Sequence, residues 1–280
     1  MRCMICRNPM EFYFSKRFDF IHLTNVDYVK CVNCGFVLSK THYELSDESW
    51  GAVNKKYHQS YQGTNHLADD PMWLERLDKQ VEVIADTVKI GLISQTNPHL
   101  DFGCGDGKLS DMITDRHGVK IDKFDRYNQG KGYLTDEKLK KNKFDFVVTT
   151  SVFEHLLKRE MLDEINNLVS DTGVMGLHTL VAEEVPDNSD WFYLVPVHCA
   201  FYTNKSMQIL FDEWGYTSSV YQLDSQLWLF FKADADKIEQ IIKNTNSQPN
   251  RKFYYHFKRG FMDYWKLNKD EINARQKQPL

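Results

Sequence analysis

Long apolar runs are absent from this sequence of 280 residues. No stretch approaches the roughly 18 apolar residues that cross a membrane as a helix. The first ten residues, MRCMICRNPM, also lack the apolar core of a secretory signal. Positive charge is not in excess, because 35 Lys and Arg stand against 39 Asp and Glu, a net charge of −4. The sequence therefore predicts a cytoplasmic protein without a transmembrane segment, and it disfavours a nucleic-acid partner.

Cysteine is present six times, and four of the cysteines form two C-x2-C pairs, Cys3 with Cys6 and Cys31 with Cys34. In a cytoplasmic protein, cysteines are thiols or metal ligands more often than disulfides. Each pair offers two thiolates to one ion, and four thiolates complete the tetrahedral site of structural Zn²⁺. The spacing therefore predicts a structural zinc ribbon over residues 1–45 with no open metal position. Unpaired buried thiols and a redox-active pair are the alternatives.

Strand and helix signals alternate between residues 73 and 235, after a polar connector over 46–72. Such alternation is typical of a parallel sheet with helices on both faces. Apolar residues at helical spacing predict a long helix that begins near Pro71 and ends before Gly91. The last two strand segments, TSSVYQL and QLWLFFK, lie too close together for a crossover helix and predict an antiparallel hairpin.

Three glycines stand at alternate positions in HLDFGCGDGKLSDMI, residues 99–113. A glycine-rich turn between a strand and a helix lets the backbone approach a ligand and points the helix N-terminus at it. The dinucleotide fingerprint G-x-G-x-x-G does not fit, because Lys108 and Ser110 stand where its third glycine would be. Asp125 follows Gly107 by 18 residues, a position from which a carboxylate can bind both hydroxyls of a ribose. The pattern indicates a ligand with a ribose and no pyrophosphate.

The segments LDFGCGDGKLS, GVKIDKFD and KFDFVVTTSVFEHL resemble, in this order, the first, second and fourth motifs of the class I S-adenosylmethionine-dependent methyltransferases. The resemblance covers about residues 73–233. It implies an α/β fold: a Rossmann-like, doubly wound, mostly parallel sheet of seven strands with an antiparallel last strand. It also implies S-adenosyl-L-methionine as the cofactor. With the zinc ribbon, the chain is similar to bacterial enzymes that methylate sugars, either sugars of surface glycans or sugars of natural products. This resemblance implies a role in polysaccharide biosynthesis.

The resemblance also implies which residues bind the cofactor. The amino-acid end would lie on the glycine turn, Asp125 would bind the ribose, and Asp136 would lie near the adenine. Residues just past the fourth strand would line the carboxyl edge of the sheet, although Phe153 could equally be a core aromatic. The implied set is Asp101, Gly103, Gly105, Gly107, Asp125, Asp136, Ser151 and Phe153.

A hydroxyl acceptor needs a base within hydrogen-bond reach, and histidine has a suitable pKa. His198 is the predicted base or acceptor contact, because it lies in the aromatic-rich stretch WFYLVPVHCAFYTNKS, where an acceptor pocket could form. His155 is the second candidate and His178 a third, and each histidine could instead be structural. Cys104 and Cys199 are interpreted as packing residues.

The C-terminal residues 236–280 are predicted to be a helical extension. Three isoleucines share one helical face, and the rings between Phe253 and Trp265 also follow helical spacing. Such a helix could pack on the body of the protein or on a second subunit to form a homo-oligomer. Because the tail is basic and aromatic, single-stranded nucleic acid or an anionic membrane surface is the alternative partner.

The favoured function is methyl transfer to a hydroxyl of a small molecule or glycan, in particular a sugar of a surface glycan or a nucleotide-sugar. A zinc-ribbon RNA methyltransferase is an alternative, but the segment [DNS]-P-P-[YFW] that serves base-nitrogen methylation is replaced here by TTSVFEHL. Two further candidate functions are a C-methyltransferase of a keto-sugar and a non-catalytic adaptor. The relatives that methylate carbon carry an additional large C-terminal domain, and the intact glycines and carboxylates argue against an adaptor.

Overall fold

The computed structural model describes residues 1–62, 71–128 and 130–267, and these residues form two β-sheets flanked by helices. The strands are β1 (Met10–Phe20), β2 (Leu23–Cys31), β3 (Val37–Ser39), β4 (His99–Phe102), β5 (Asp122–Phe124), β6 (Phe144–Thr150), β7 (Val169–His178), β8 (Val181–Ala182), β9 (Ala200–Thr203), β10 (Ser218–Gln222), β11 (Leu227–Phe231) and β12 (His256–Arg259). The helices are α1 (Lys40–Tyr43), α2 (Asp47–Gln62), α3 (Pro71–Lys89), α4 (Lys108–His117), α5 (Asp136–Lys141), α6 (Arg159–Leu168), α7 (Asn204–Glu213) and α8 (Ala235–Asn246).

The larger sheet has seven strands in the order β12, β10, β11, β7, β6, β4, β5. Strands β5, β4, β6 and β7 are parallel neighbours. Strands β10 and β11 form the predicted antiparallel hairpin, with Ser218 opposite Phe231 and Gln222 opposite Leu227. The α/β class and the mostly parallel sheet with an antiparallel end are therefore confirmed.

The edge of this sheet beyond β5 has little strand pairing. The only contact of strand type there is a single parallel bridge between Lys123 and Tyr133, within the residues that the structure describes. The chain then forms α5, which begins at a cap where the Thr135 hydroxyl accepts from the Lys138 amide. Since α5 buries only Leu139, this lysine-rich stretch has no apolar face that could complete another strand.

The seventh strand, β12, comes from the C-terminal residues 236–280, for which the sequence predicted a helical extension. Helix α8 is present, but β12 pairs antiparallel with β10, and only one helical turn over 264–267 follows it within the described chain. Phe253 and Tyr255 are buried whereas Tyr254 is 59% exposed, a period of two that belongs to extended backbone. The spacing of these rings fits both a helix and a strand. The segment forms a strand here because the edge of β10 is available for pairing. The homo-oligomer contact through a C-terminal helix stays a prediction.

The smaller sheet, which we name the N-terminal sheet, has five strands in the order β1, β2, β3, β9, β8. It joins the N-terminal segment to the rest of the chain. Strand β3 pairs with β9, so that Val37 lies opposite Phe201 and Leu38 opposite Ala200. The residues 1–45 thus share a sheet with strands that lie more than 130 positions later in the sequence. The connector over 46–72 contains α2, whose Trp50 and Val53 are buried.

The two faces of the seven-stranded sheet carry separate apolar clusters. Along β11, Trp228 and Phe230 belong to one cluster, while Leu227, Leu229 and Phe231 belong to the other. The first cluster extends into the N-terminal sheet and the second lies under α3, α4 and α8. Among the helices of the described residues, none combines the length and apolarity needed to cross a membrane.

Candidate active site

The glycine turn lies between the end of β4 and the start of α4. Gly103, Gly105 and Gly107 have φ angles of +72°, +57° and +79°, in the left-handed region that side chains with a Cβ rarely adopt. A Cβ at Gly103 would lie 2.5 Å from Cγ2 of Val152, which follows β6. The turn therefore requires glycine for two reasons, and it is packed directly against the carboxyl end of β6.

Asp125 holds this turn from the end of β5. Its Oδ2 accepts the Gly105 amide at 2.9 Å, and its Oδ1 accepts the amides of Tyr127 and Asn128 at 2.8 Å. The Gly105 carbonyl in turn accepts the Tyr133 hydroxyl and the Asn128 side-chain amide, each at 2.9 Å. The structure thus brings the predicted glycines and Asp125 together, and it adds Tyr133 and Asn128, which carry no recognisable motif.

Asp101 is buried at the base of the turn. Its Oδ2 accepts the Ser110 hydroxyl at 2.7 Å, so the side chain ties β4 to the first turns of α4. Burial raises the pKa of Asp101 to about 7, although the Ser110 hydrogen bond lowers it. Asp101 therefore stabilises the turn by linking β4 to α4.

The remaining predicted cofactor residues lie in different surroundings. Ser151 follows β6 with a φ of +55°, and its amide donates to the His178 carbonyl at 2.8 Å. The ring of Phe153 is 0% exposed and lies 5.8 Å from the Tyr202 ring and 6.3 Å from the Trp214 ring. The side chain of Phe153 is therefore a core aromatic, the alternative considered from the sequence. Asp136 is exposed in the first turn of α5.

A second polar cluster is formed by Glu154, His155 and His198. One ligand atom of each side chain lies within 4.8 Å of those of the other two, and the two imidazole rings are 5.1 Å apart. The Nδ1 of His155 is 2.9 Å from the Val197 carbonyl, and the Nδ1 of His198 is 2.8 Å from the Tyr193 carbonyl. The two histidines proposed from the sequence as catalytic candidates thus meet in space.

Glu154 was missed by reasoning from the sequence, although it lies in the FEHL motif. It is 2% exposed, and its two carboxylate oxygens accept the hydroxyls of Tyr193 at 2.8 Å and Thr179 at 2.9 Å. The ring of Tyr193 also packs against His198, with centroids 4.3 Å apart. A carboxylate beside a histidine in a strand-end motif was the available signal.

His178, the third histidine candidate, lies outside this cluster. It ends β7, and its Nδ1 is 2.9 Å from the Gln226 carbonyl in the turn between β10 and β11. Burial lowers the pKa of His178 to about 4, with a smaller contribution from the charge of Arg76. These surroundings are those of a structural histidine.

The four N-terminal cysteines converge as their spacing predicted. The Sγ atoms of Cys3 and Cys34 are 3.7 Å apart, and those of Cys6 and Cys31 are 3.3 Å apart. All four sulfurs lie within 4.8 Å of one another, and three of the four side chains are buried. A hydrogen bond with Cys34 lowers the pKa of Cys3 to about 6 and raises that of Cys34.

The N-terminal sheet contacts residues 183–199, which we name the aromatic segment. At its start, the Tyr13 hydroxyl donates to the Val185 carbonyl at 2.7 Å, and Lys30 forms an ion pair with Glu184 at 2.6 Å. At its end, the Ser39 amide donates to the Cys199 carbonyl at 2.8 Å. Just beyond the segment, the Thr203 hydroxyl donates to the Cys34 carbonyl at 2.5 Å. The N-terminal sheet, whose strand β2 ends at Cys31, therefore contacts both ends of the segment that contains His198.

The family of the chain is shown by a family model described as a methyltransferase domain. It matches residues 74–219, which is 146 of the 280 residues. The chain belongs to this family, and it is an enzyme that transfers methyl groups. The family supports S-adenosylmethionine as the methyl donor.

Solved structures of methyltransferases are similar to this chain at low identity. A SAM-dependent methyltransferase from Archaeoglobus fulgidus is 15% identical, covering 60% of this chain and 77% of that chain, with a TM-score of 0.38. An O-methyltransferase family protein from Burkholderia thailandensis is 14% identical, covering 68% and 63%, with a TM-score of 0.47. The magnesium protoporphyrin IX methyltransferase from Synechocystis with bound SAM is 13% identical, covering 67% and 97%, with a TM-score of 0.43. No curated protein sequence matches the chain.

Proposed function

We propose that this enzyme transfers a methyl group from S-adenosylmethionine to a hydroxyl of a sugar, in a surface glycan or a nucleotide-sugar. One observation carries the proposal. Val152 packs over Gly103 of the glycine turn, and the residues that follow it, Glu154 and His155, meet His198. A candidate cofactor site and a candidate proton acceptor therefore lie at the carboxyl ends of the neighbouring strands β4 and β6, where α/β proteins bind ligands.

The residues of the turn fit the cofactor. The left-handed glycines bring backbone amides and the N-terminus of α4 close to a ligand, which suits the carboxylate of the cofactor's amino-acid end. Asp125 lies beside this turn, where it can accept the ribose hydroxyls, while Ser151 and the more distant Asp136 border the same edge. When bound, the cofactor supplies a methyl carbon attached to a positively charged sulfur.

His198 is assigned to proton transfer. A carbonyl can only accept a hydrogen bond, so the Nδ1 that faces the Tyr193 carbonyl carries the proton and the neutral ring has its lone pair at Nε2. This Nε2 would accept the hydroxyl proton of the acceptor, and the bound cofactor would supply the methyl group to the acceptor oxygen at the expense of its own carbon–sulfur bond. His155 has the same tautomer, since its Nδ1 faces the Val197 carbonyl, and it lies beside His198 as a second candidate.

The aromatic segment is the proposed acceptor surface. Phe192 is 75% exposed, and the half-buried rings of Trp191 and Tyr193 pack against it. One exposed and two half-buried rings lie next to a partly buried polar cluster. Together they offer an apolar face and directed hydrogen bonds, which suits a sugar ring with a hydroxyl to be oriented.

We also propose that the four cysteines bind one structural Zn²⁺. Sulfurs at the corners of a tetrahedron about 2.3 Å from zinc lie roughly 3.8 Å apart. The separations of 3.7 Å and 3.3 Å are close to this value. With four sulfur ligands the zinc would have no position for a substrate, so its role would be to fix the sheet that holds the aromatic segment.

The function is tested by incubating the enzyme with isotopically labelled S-adenosylmethionine and a panel of nucleotide-sugars, glycan fragments and RNA. We expect label on a sugar oxygen, identified by NMR of the product, and no label with His198→Ala. Label on a sugar carbon or on RNA would contradict the proposal.

Metal analysis should find one tightly held zinc per chain, which Cys31→Ser loses and Cys199→Ser retains, because Cys199 lies outside the cluster.

A further inference from the structure

The cluster of Glu154, His155 and His198 has the donor set of a metal site separate from the four cysteines. It offers two imidazole nitrogens and one carboxylate, with one ligand atom of each within 4.8 Å of the others. We propose that these three side chains bind a divalent transition-metal ion. The proposal deepens the function given above, because the ion would lie at the same site as the acceptor hydroxyl.

The hydrogen bonds of both histidines prepare them for a metal. Each Nδ1 donates to a backbone carbonyl, that of Val197 for His155 and that of Tyr193 for His198. Metal-binding histidines commonly donate the other ring N–H in this way, which fixes the ring and raises the basicity of the ligating nitrogen. The two rings that lie 5.1 Å apart therefore share one tautomer, with both lone pairs at Nε2.

Glu154 is a buried carboxylate that a cation would stabilise. It is 2% exposed, and within the described part of the chain no lysine or arginine forms an ion pair with it. A buried carboxylate is costly unless a cation or several hydrogen bonds compensate it. The Tyr193 and Thr179 hydroxyls supply two hydrogen bonds and fix the carboxylate, as outer partners of a metal ligand do. A divalent ion beside Glu154 would add a positive charge to these two hydrogen bonds.

The ligand types indicate which ions fit. Two imidazoles and one carboxylate bind Zn²⁺, Mn²⁺, Co²⁺ or Fe²⁺, and they leave positions open for water or substrate. An acceptor hydroxyl in an open position would lose its proton more easily, because a bound cation lowers the pKa of the oxygen that it holds. In that arrangement His155 and His198 would be ligands, so the metal would replace the proton transfer to His198 proposed above, and the hydroxyl proton would pass to water.

The test is a titration of the full chain, with zinc in the cysteine site, by Mn²⁺. Binding is followed by the loss of the free-ion signal in electron paramagnetic resonance and repeated with Co²⁺ by visible absorption. We expect one Mn²⁺ per chain beyond the zinc. Affinity should fall at least 100-fold with His155→Gln or Glu154→Gln, and about 10- to 100-fold with Tyr193→Phe, which removes only an outer contact. His117→Gln, an exposed histidine in α4, should bind Mn²⁺ like the parent.

Two results would overturn the metal site: no additional ion bound by the parent, or equal binding by the His155 and Glu154 variants. Circular dichroism and affinity for S-adenosylmethionine show which variants fold, and Tyr193→Phe provides the test if Glu154→Gln does not. If no ion binds but His198→Ala still abolishes sugar methylation, the proposed function stands and the metal site falls. If the ion binds as expected but no sugar is methylated, the metal site stands and the proposed function falls.

Discussion

The glycine turn and the histidine cluster are built in different ways. The turn is held by hydrogen bonds between residues 20 to 28 positions apart, such as Asp125 with Gly105 and Tyr133 with Gly105, and much of its surface is backbone. The histidine cluster depends on His155 and His198, and the aromatic segment is fixed by contacts such as Tyr13 with Val185, 172 positions apart. A backbone site suits a cofactor shared by a family, whereas side chains brought from distant segments can differ between acceptors.

The largest expected effect separates the two sites by a single substitution. His198→Ala should lower kcat about 100-fold or more, because it removes the proposed proton acceptor, or a ligand of the proposed metal. Affinity for S-adenosylmethionine, measured by calorimetry, should stay within twofold of the parent. His117→Ala serves as the control. A comparable loss of cofactor affinity in His198→Ala would show that the two sites are not separate.

Asp125→Ala should affect the glycine turn and not the histidine cluster. We expect cofactor affinity to fall by about 1 to 3 kcal/mol, or about 5- to 150-fold, because charge-assisted hydrogen bonds to the ribose and to the turn are lost. A cofactor analogue without the 2′-hydroxyl distinguishes these two causes in a double-mutant cycle. If Asp125 binds the ribose, the parent should bind the analogue more weakly than it binds S-adenosylmethionine. The Asp125→Ala variant should then bind the analogue and S-adenosylmethionine with equal affinity. Additive losses would assign Asp125 to the turn alone.

Gly103→Ala should lower cofactor affinity about tenfold, since a Cβ there combines left-handed strain with a clash against Val152. Adding Val152→Ala removes the clash and should recover part of the loss. Gly118→Ala is a matched control, because Gly118 has a φ of +67° and nothing within 4 Å of a Cβ. Calorimetry with S-adenosylmethionine measures all three. An equal loss in Gly118→Ala would mean that the turn is not the binding surface.

Tyr13→Phe should have the smallest effect, and it tests the link between the N-terminal sheet and the aromatic segment. Loss of the hydrogen bond to the Val185 carbonyl should raise the KM for the acceptor about two- to fivefold, with the cofactor affinity unchanged. Steady-state kinetics on the acceptor found in the panel provide the measurement. Tyr43→Phe, an exposed tyrosine in α1, is the control. An unchanged KM in Tyr13→Phe would remove the N-terminal sheet from acceptor binding.

Much of the candidate site was predictable because its signals are local. The spacing of the glycines and each C-x2-C pair follow from the geometry of one turn or knuckle, and the position of Asp125 follows from the length of one strand–helix–strand unit. The predicted helix near Pro71 and the hairpin of β10 and β11 were found for the same reason, since each depends on periodicity or chain length alone. Phe153 shows the limit, because a ring after a strand can face either the core or a ligand.

The sequence by itself determined the spacing of the glycine turn, the α/β alternation and the two C-x2-C pairs, because each of these is a pattern of residues close together in the chain. Only the tertiary structure decided that β12 completes the larger sheet, that β3 joins β9, and that buried Glu154 lies with His155 and His198. Each of these outcomes depends on which distant edge or side chain is available as a partner. Local periodicity is the same whether or not that partner is present.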